Sequence, residues 1–193
     1  INILEVKIRM NILVTGGLGL IGHNVVDKLQ QQGHRVVITD TRTTYGIIPQ
    51  DEIDYLMTER LKRIQPGQIH AVDIVSDSID WLFEKYKFDI VIHMASFPRQ
   101  KVVNANPRLG AQTMMEGLLN LCEASKKHNI KKFIYISSSM VYGDFTDDVT
   151  EDYDCKPQGQ YGIMKLAGEH LVKDYSRRNC FSYTIIRPSA VYG

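Results

Sequence analysis

A chain of 193 residues, 44% of them hydrophobic, can bury the core of one domain or slightly more, and a net charge of +1 gives no electrostatic case for nucleic acid as a partner. No apolar run is long enough to cross a bilayer, and Glu5, Lys7 and Arg9 break up the first residues, so that stretch does not read as a secretory signal. Cys122, Cys155 and Cys180 are odd in number and far apart, which argues against a disulfide framework or a metal site and for a reduced, cytoplasmic setting. The six histidines form no H-x-x-x-H pair, and no metal is expected.

Residues 1–9 read as an N-terminal extension, with Met10 as a natural start, and residues 10–193 as one dinucleotide-binding unit. Apolar residues 11–14 run into Gly16, Gly17, Gly19 and Gly22, and a helical pattern follows at once through Ile21, Val25, Val26 and Leu29. Strand, glycine turn and helix N-terminus is the context in which G-x-G-x-x-G cradles a pyrophosphate. Gly16, Gly19 and Gly22 let the phosphate approach, while the N–H groups around Leu20 and Ile21 and the positive helix end meet its charge. Gly33 stops this helix, and strand 35–39 ends at Asp40, about 20 residues past the turn, where a carboxylate accepts hydrogen bonds from a ribose. Asp40 would repel a 2′-phosphate and so favours NAD over NADP; Arg42 nearby works against that preference.

Residues 41–49 are polar and turn-like, and 51–64 read as a helix in which Ile53, Leu56, Met57, Arg60, Leu61 and Ile64 place apolar groups on one side, ended by Pro66-Gly67. A short strand, 68–72, leads to Asp73, and Ser76 caps a helix to about Lys85. Strand 88–93 is apolar throughout and ends at His93, which reads as structural or ligand-adjacent. After the loop 94–98 one long helix is expected over 107–128, with Leu109, Met114, Leu118, Leu121 and Cys122 inward. Strand 132–137, an acidic loop 143–160, a helix 161–178 and a strand 182–187 complete the chain. The paired lysines 126–127 and 131–132 read as solvated helix ends. Six strands alternating with helices predict an α/β fold, a doubly wound parallel sheet with its ligand crevice at the carboxyl ends of the strands.

Two stretches carry chemistry. Ser137-Ser138-Ser139 follows the fifth strand, and Tyr161-x-x-x-Lys165 opens a helix, where residues four apart share a face. A free tyrosine titrates near pH 10, so a phenol acting as base near neutrality needs a downward shift of about 3 units, roughly 4 kcal/mol. A neighbouring ammonium and a positive nicotinamide ring can supply it in a partly desolvated cleft, and a serine hydroxyl can hold the reacting oxygen against the phenol.

These motifs resemble the extended short-chain dehydrogenase/reductase family, in its NAD-dependent nucleotide-sugar epimerase/dehydratase branch. The resemblance runs from Met10 to Gly193 through Thr15-Gly-Gly-x-Gly-x-x-Gly22, His93-Met-Ala-Ser96, Ser137-Ser-Ser-Met-Val-Tyr-Gly143, Tyr161-Gly-Ile-Met-Lys165 and Arg187-Pro-Ser-Ala-Val-Tyr-Gly193. It implies a Rossmann-like fold and a transient hydride transfer from a nucleotide-sugar to NAD, with Tyr161 as acid/base. Lys165 would hold the nicotinamide ribose, and Ser138, three residues before Val141, would face the substrate. It further implies that Asp73 and Ile74 contact the adenine. The loop Met94, Ala95 and Ser96, the strand end at Ser137 and the segment from Pro188 would then line the cofactor. A homodimer built on helices 107–128 and 161–178 is also implied. Ser139 and Met140 stand where the family's dehydratases carry Asp-Glu, which argues against water elimination. Met114 and Pro98 stand where galactose-type 4-epimerases carry Asn and Lys, and an Asn expected near Ala190 is missing. No counterpart of the family's smaller substrate-binding C-terminal domain is present, so the resemblance implies a chain incomplete relative to the family. Alternatives from the sequence are an NAD-binding sensor or scaffold without turnover, or a nucleotide-sugar reductase or dehydratase.

Overall fold

The computed structural model describes residues 8–43, 48–65, 67–97, 99–145 and 148–192. Most of the N-terminal extension, part of the turn-like stretch 41–49, the helix stop at Pro66, and the Pro98 and Gly193 positions lie outside the described residues. Six strands form one parallel sheet: β1 (Asn11–Thr15), β2 (Arg35–Thr39), β3 (Gln68–His70), β4 (Ile90–His93), β5 (Lys132–Ile136) and β6 (Ser182–Ile186). Their order is β3-β2-β1-β4-β5-β6, so the sheet reverses its direction of growth between β1 and β4. In register, Leu13 faces Val37 on one side and Val91 on the other.

Side-chain alternation along the strands divides the core in two. Ile12, Val14, Val36 and Ile38 pack on one face with Leu18 and Val26, beneath α1 (Leu20–Gln31) and α2 (Gln50–Arg63). Leu13, Val37, Val91 and Phe133 pack on the other with side chains of α3 (Ser78–Tyr86), α6 (Gly117–Lys127) and α7 (Gly159–Arg177). Covered on both faces, the central strands need no polar side, which is why they read as continuous apolar runs.

Asp77, not the expected Ser76, is the N-cap of α3, and Ser76 accepts the N–H of Ser78 at 3.2 Å from one residue further back. Four other expectations change. The long helix 107–128 is α5 (Pro107–Ala111), a π-helical turn (Gln112–Glu116) and α6, and a short α4 (Gln100–Ala105) precedes it. Leu109 is exposed, and Gly110 is buried in its place against Val103. Leu61 is likewise exposed, and the core side of α2 is narrower than its apolar spacing suggests. Lys127 and Lys131 are not merely solvated: they pair with Asp80 at 2.6 Å and Asp89 at 2.8 Å.

At the β1–β4 seam Thr15 Oγ1 lies 2.7 Å from His93 Nδ1 and accepts the N–H groups of Met94 and Ala95, each at 3.2 Å. The Met94 N–H is shared with the Thr15 carbonyl at 3.1 Å, and the hydroxyl and the ring nitrogen share one hydrogen between them. Full burial, with the Lys165 ammonium adding to it, lowers the His93 pKa to about 3. An unfolded chain therefore takes up this proton from about pH 6.5 downward while the folded chain refuses it. The contribution is complete above pH 6.5 and is lost as pH falls toward 3, at up to about 1.4 kcal/mol per pH unit. Chemical denaturation across that range will show a flatter acid limb in His93→Asn than in the wild type.

Candidate active site

The carboxyl ends of β1 and β4 part at the reversal point, and the glycine turn and the loop after His93 form the two lips. Gly16 adopts φ +68°, and a Cβ there would stand 2.8 Å from the Ala95 backbone nitrogen. A Cβ on Gly22 would stand 2.2 Å from the Gly16 carbonyl oxygen. Both positions therefore need glycine, one for conformation and one for the close helix–turn approach. Gly19 is the N-cap of α1 and offers no side-chain acceptor, and the first turn holds no acidic residue. The N–H groups of Leu20, Ile21 and Gly22, which a helix cannot satisfy internally, thus open on the turn with the positive helix end.

Asp40 stands at the end of β2 with Oδ2 accepting Leu18 N–H at 2.9 Å and Oδ1 accepting Arg42 N–H at 2.8 Å. Each oxygen keeps lone-pair capacity for a further hydroxyl donor. Arg60, which the sequence reading left without a role, reaches over from α2 and donates to the Leu18 carbonyl at 2.8 Å. Burial lowers its pKa and the Asp40 charge acts in the opposite sense. Asp73 is exposed at the crevice end of β3, while Ile74 is buried. The turn is pinned by Asn120 of α6, whose amide donates to the carbonyls of Ile74 and Val75. Past Met94 and Ala95, the Ser96 hydroxyl is buried with no hydrogen-bond partner among the described residues.

The chemistry-bearing side chains meet where β5 and α7 converge. Ser138 caps a 3-10 turn (Ser139–Val141) by accepting Met140 N–H at 3.2 Å, and its hydroxyl lies near enough to the Tyr161 phenol to act on its ionisation. Lys165 is buried, with Nζ 5.8 Å from the Tyr161 ring centre and 5.3 Å from that of Tyr135, and donates to the Ile136 carbonyl at 2.8 Å. Burial lowers the Lys165 pKa to about 8, opposed by Glu169. The expected depression of the Tyr161 pKa is not a property of the protein alone. Burial pushes the phenol up, the Ser138 hydroxyl only partly opposes it, and the Lys165 ammonium is turned to the β5 backbone.

Ser137 lies at the strand end, but its hydroxyl is turned away from the crevice and donates to Glu169 at 2.6 Å. Pro188 accepts Ser139 N–H at 2.9 Å and so ties the segment after β6 to the end of β5. Beside it a cleft of about 790 Å³ opens between Ser139, Tyr142, Lys173, Tyr183, Arg187 and Ser189. The sequence reading named Thr15 and Arg187 only as the first residues of two motifs and Arg60 only on the inner side of its helix, and it missed Asn120 and Glu169. Glu169 had a signal, a charge one turn after Lys165 on the same helix face. Away from the crevice, Asp80, Glu84 and His128 bring ligand-type atoms within 4.8 Å of one another. The Lys127 ammonium, 2.6 Å from Asp80 and 4.0 Å from Glu84, is their countercharge.

Cys122, Cys155 and Cys180 are free thiols, and among the described residues no helix is long and apolar enough to cross a membrane. The fold is that of solved UDP-sugar epimerases. The chain is similar to the Bacillus cereus UDP-glucuronic acid 4-epimerase, solved with UDP-glucuronic acid and NAD, at 30% identity and TM-score 0.84, over 95% of this chain and 58% of that one. It is similar to the Thermotoga maritima UDP-glucose 4-epimerase, solved with UDP-glucose, at 28% identity and TM-score 0.81, over 95% and 57%. Among curated proteins it is 32% identical to a bifunctional UDP-glucose and UDP-xylose 4-epimerase of Pisum sativum, over 86% of this chain and 47% of that one. The chain thus spans about half the length of the relatives it matches. A family model described as the NAD dependent epimerase/dehydratase family matches residues 12–193, with the glycine turn, the serine strand end and the Tyr161–Lys165 helix all inside the match, and the chain belongs to that family.

Proposed function

We propose that this chain is the NAD-binding and catalytic part of a nucleotide-sugar epimerase that oxidises one sugar hydroxyl transiently and returns the hydride to the opposite face. The observation that carries the reading is the meeting of Ser138, Tyr161 and the buried Lys165 at one strand end of the sheet that also bears the glycine turn. The fit to NAD rests on the cradle at Gly16 and Gly22 that a Cβ would fill, and on the orphaned Ser96 hydroxyl. In this reading the turn at Gly16, Gly19, Leu20, Ile21 and Gly22 holds the pyrophosphate. Asp40 holds the adenosine ribose, and Asp73 and Ile74 border the adenine. Met94, Ala95, Ser96, Ser137 and Pro188 line the remaining path, Ser137 through its main chain.

NAD supplies a hydride acceptor and, when oxidised, a positive charge. The rest is done by this chain's own residues. Tyr161 removes the proton of the sugar hydroxyl as the hydride leaves and returns it on the way back. Ser138 donates to the reacting oxygen and fixes its distance from the phenol. Lys165, protonated at neutral pH, holds the nicotinamide ribose and favours the phenolate. Ser139 and Met140 offer no acid for water elimination, which supports an epimerase over a dehydratase. UDP-sugars are the substrate class, as in the relatives named above, with epimerisation at C4. We further infer a homodimer through the helices of residues 107–127 and 159–177, supported by exposed Leu119 and Ile163.

Three outcomes are expected. Gly22→Ala forces the turn open and weakens NAD binding by about tenfold or more in calorimetric titration. Tyr161→Phe leaves NAD binding within about threefold but lowers UDP-sugar epimerisation at least about 100-fold, measured by product analysis on the longest expressed form of the protein. NAD binding without turnover of any UDP-sugar by the wild type would instead mark a sensor or scaffold. Sedimentation will give a dimer mass; a monomer refutes the helix-pair interface.

A further inference from the structure

Beneath the crevice lies a second set of side chains that the catalytic reading leaves unused. Glu169, fully buried, accepts from Ser137 Oγ at 2.6 Å and from Arg187 through Nε at 2.9 Å and Nη2 at 2.7 Å. The remaining Arg187 nitrogen, Nη1, donates to the Tyr142 hydroxyl at 2.9 Å and to the Glu151 carbonyl at 3.0 Å. The guanidinium also lies 4.9 Å from the centre of the Tyr142 ring. All three of its nitrogens are committed, so its orientation is over-determined.

The three linked residues repeat the crevice one layer down. Ser137 precedes Ser138, Glu169 lies one turn after Lys165, and Arg187 precedes Pro188. Ser137 also donates its N–H to Ile186 at 2.7 Å, and Ser139 to Pro188 at 2.9 Å. A buried ion pair is weak as a source of stability, since apolar side chains of equal volume hold as well, and its worth lies in fixing orientation and register. We propose that Glu169 and Arg187 are a positioning pair, locking the β5 end, α7 and the segment after β6 in one register and thereby setting how Lys165 and Pro188 face the cofactor. The inference rests on the reading of the crevice as an NAD site.

The Glu169 carboxylate also bears on Lys165 electrostatically. Burial would raise the Glu169 pKa, but the hydrogen bonds from Arg187 and Ser137 more than offset this and keep it ionised. Around Lys165 stand Glu169 and Tyr161 of α7, Tyr135 of β5 and the neutral His93 of β4, so Glu169 is the one anion among them. Its loss favours the uncharged amine.

The test is calorimetric titration of the 193-residue chain with NAD from pH 6 to 10, alongside thermal melts. Arg187→Lys keeps the charge and loses the fork: affinity at pH 7 falls about tenfold while the alkaline limb of the affinity–pH curve stays in place. Glu169→Gln moves that limb to lower pH by about half a unit or more. Should Glu169→Gln fail to fold, the double variant Glu169→Gln/Arg187→Gln leaves no buried charge orphaned, only the partly exposed Lys173, 3.9 Å from Glu169, and its affinity at pH 7 falls about tenfold with melting close to wild type. A purely structural pair would lower melting temperatures and leave the affinity–pH curves unchanged; folded variants that bind as the wild type at every pH overturn the proposal. A wild type that does not bind NAD overturns the reading of the crevice itself, and the inference with it.

Discussion

The structure depends on one seam, the parallel pairing of β1 with β4. Ile12 to Thr15 on one strand face Ile90 to His93 on the other, and the Thr15 hydroxyl locks the join through His93 and two backbone N–H groups. Each strand then hands its chain to a different side of the sheet, and the turn and loop that follow have to diverge. The crevice is that divergence. Glycine at position 16 allows the two lips to begin in contact, with the Ala95 backbone where a side chain would otherwise sit.

From the seam outward the site is built by progressively longer-range contacts. The glycine turn and Asp40 belong to one local strand–helix–strand unit. Asp73 depends on Asn120 of α6, and Ser138, Tyr161 and Lys165 need β5 and α7 in register. Arg187 closes the arrangement from the last strand and reaches back to the loop at Glu151. Buried charge is thereby concentrated at one end of the sheet, where Glu169 and Lys165 lie within a turn of each other among Tyr135, Tyr142 and Tyr161.

How much of this the sequence made legible follows the same gradient. The first strand, the glycine turn and the second strand were readable because their signals are local: an apolar run, a glycine spacing and an acid at a fixed offset. The sheet followed from the alternation of elements, and the resemblance, counted back from Val141-Tyr-Gly, singled out Ser138 among its neighbours as the expected substrate-facing hydroxyl. The π-helical turn and α4 were not readable. One is an irregularity with no residue signature, and the other is too short to show a period. What Arg60 and Asn120 do was invisible for another reason. Each acts by donating to a backbone carbonyl more than 40 residues away, and carbonyls carry no side-chain identity to match.

The seam also sets the order in which the molecule can be made. Thr15 and His93 are separated by 78 positions in the chain, so the ribosome delivers the second roughly 4–16 s after the first at ordinary speeds of synthesis. Throughout that interval β1 has β2 as its one partner already made, with its other edge unpaired. The nucleotide crevice does not exist in any shorter nascent chain, and its formation coincides with the covering of that edge. The opening of the crevice and protection from aggregation are, for this fold, a single event in time.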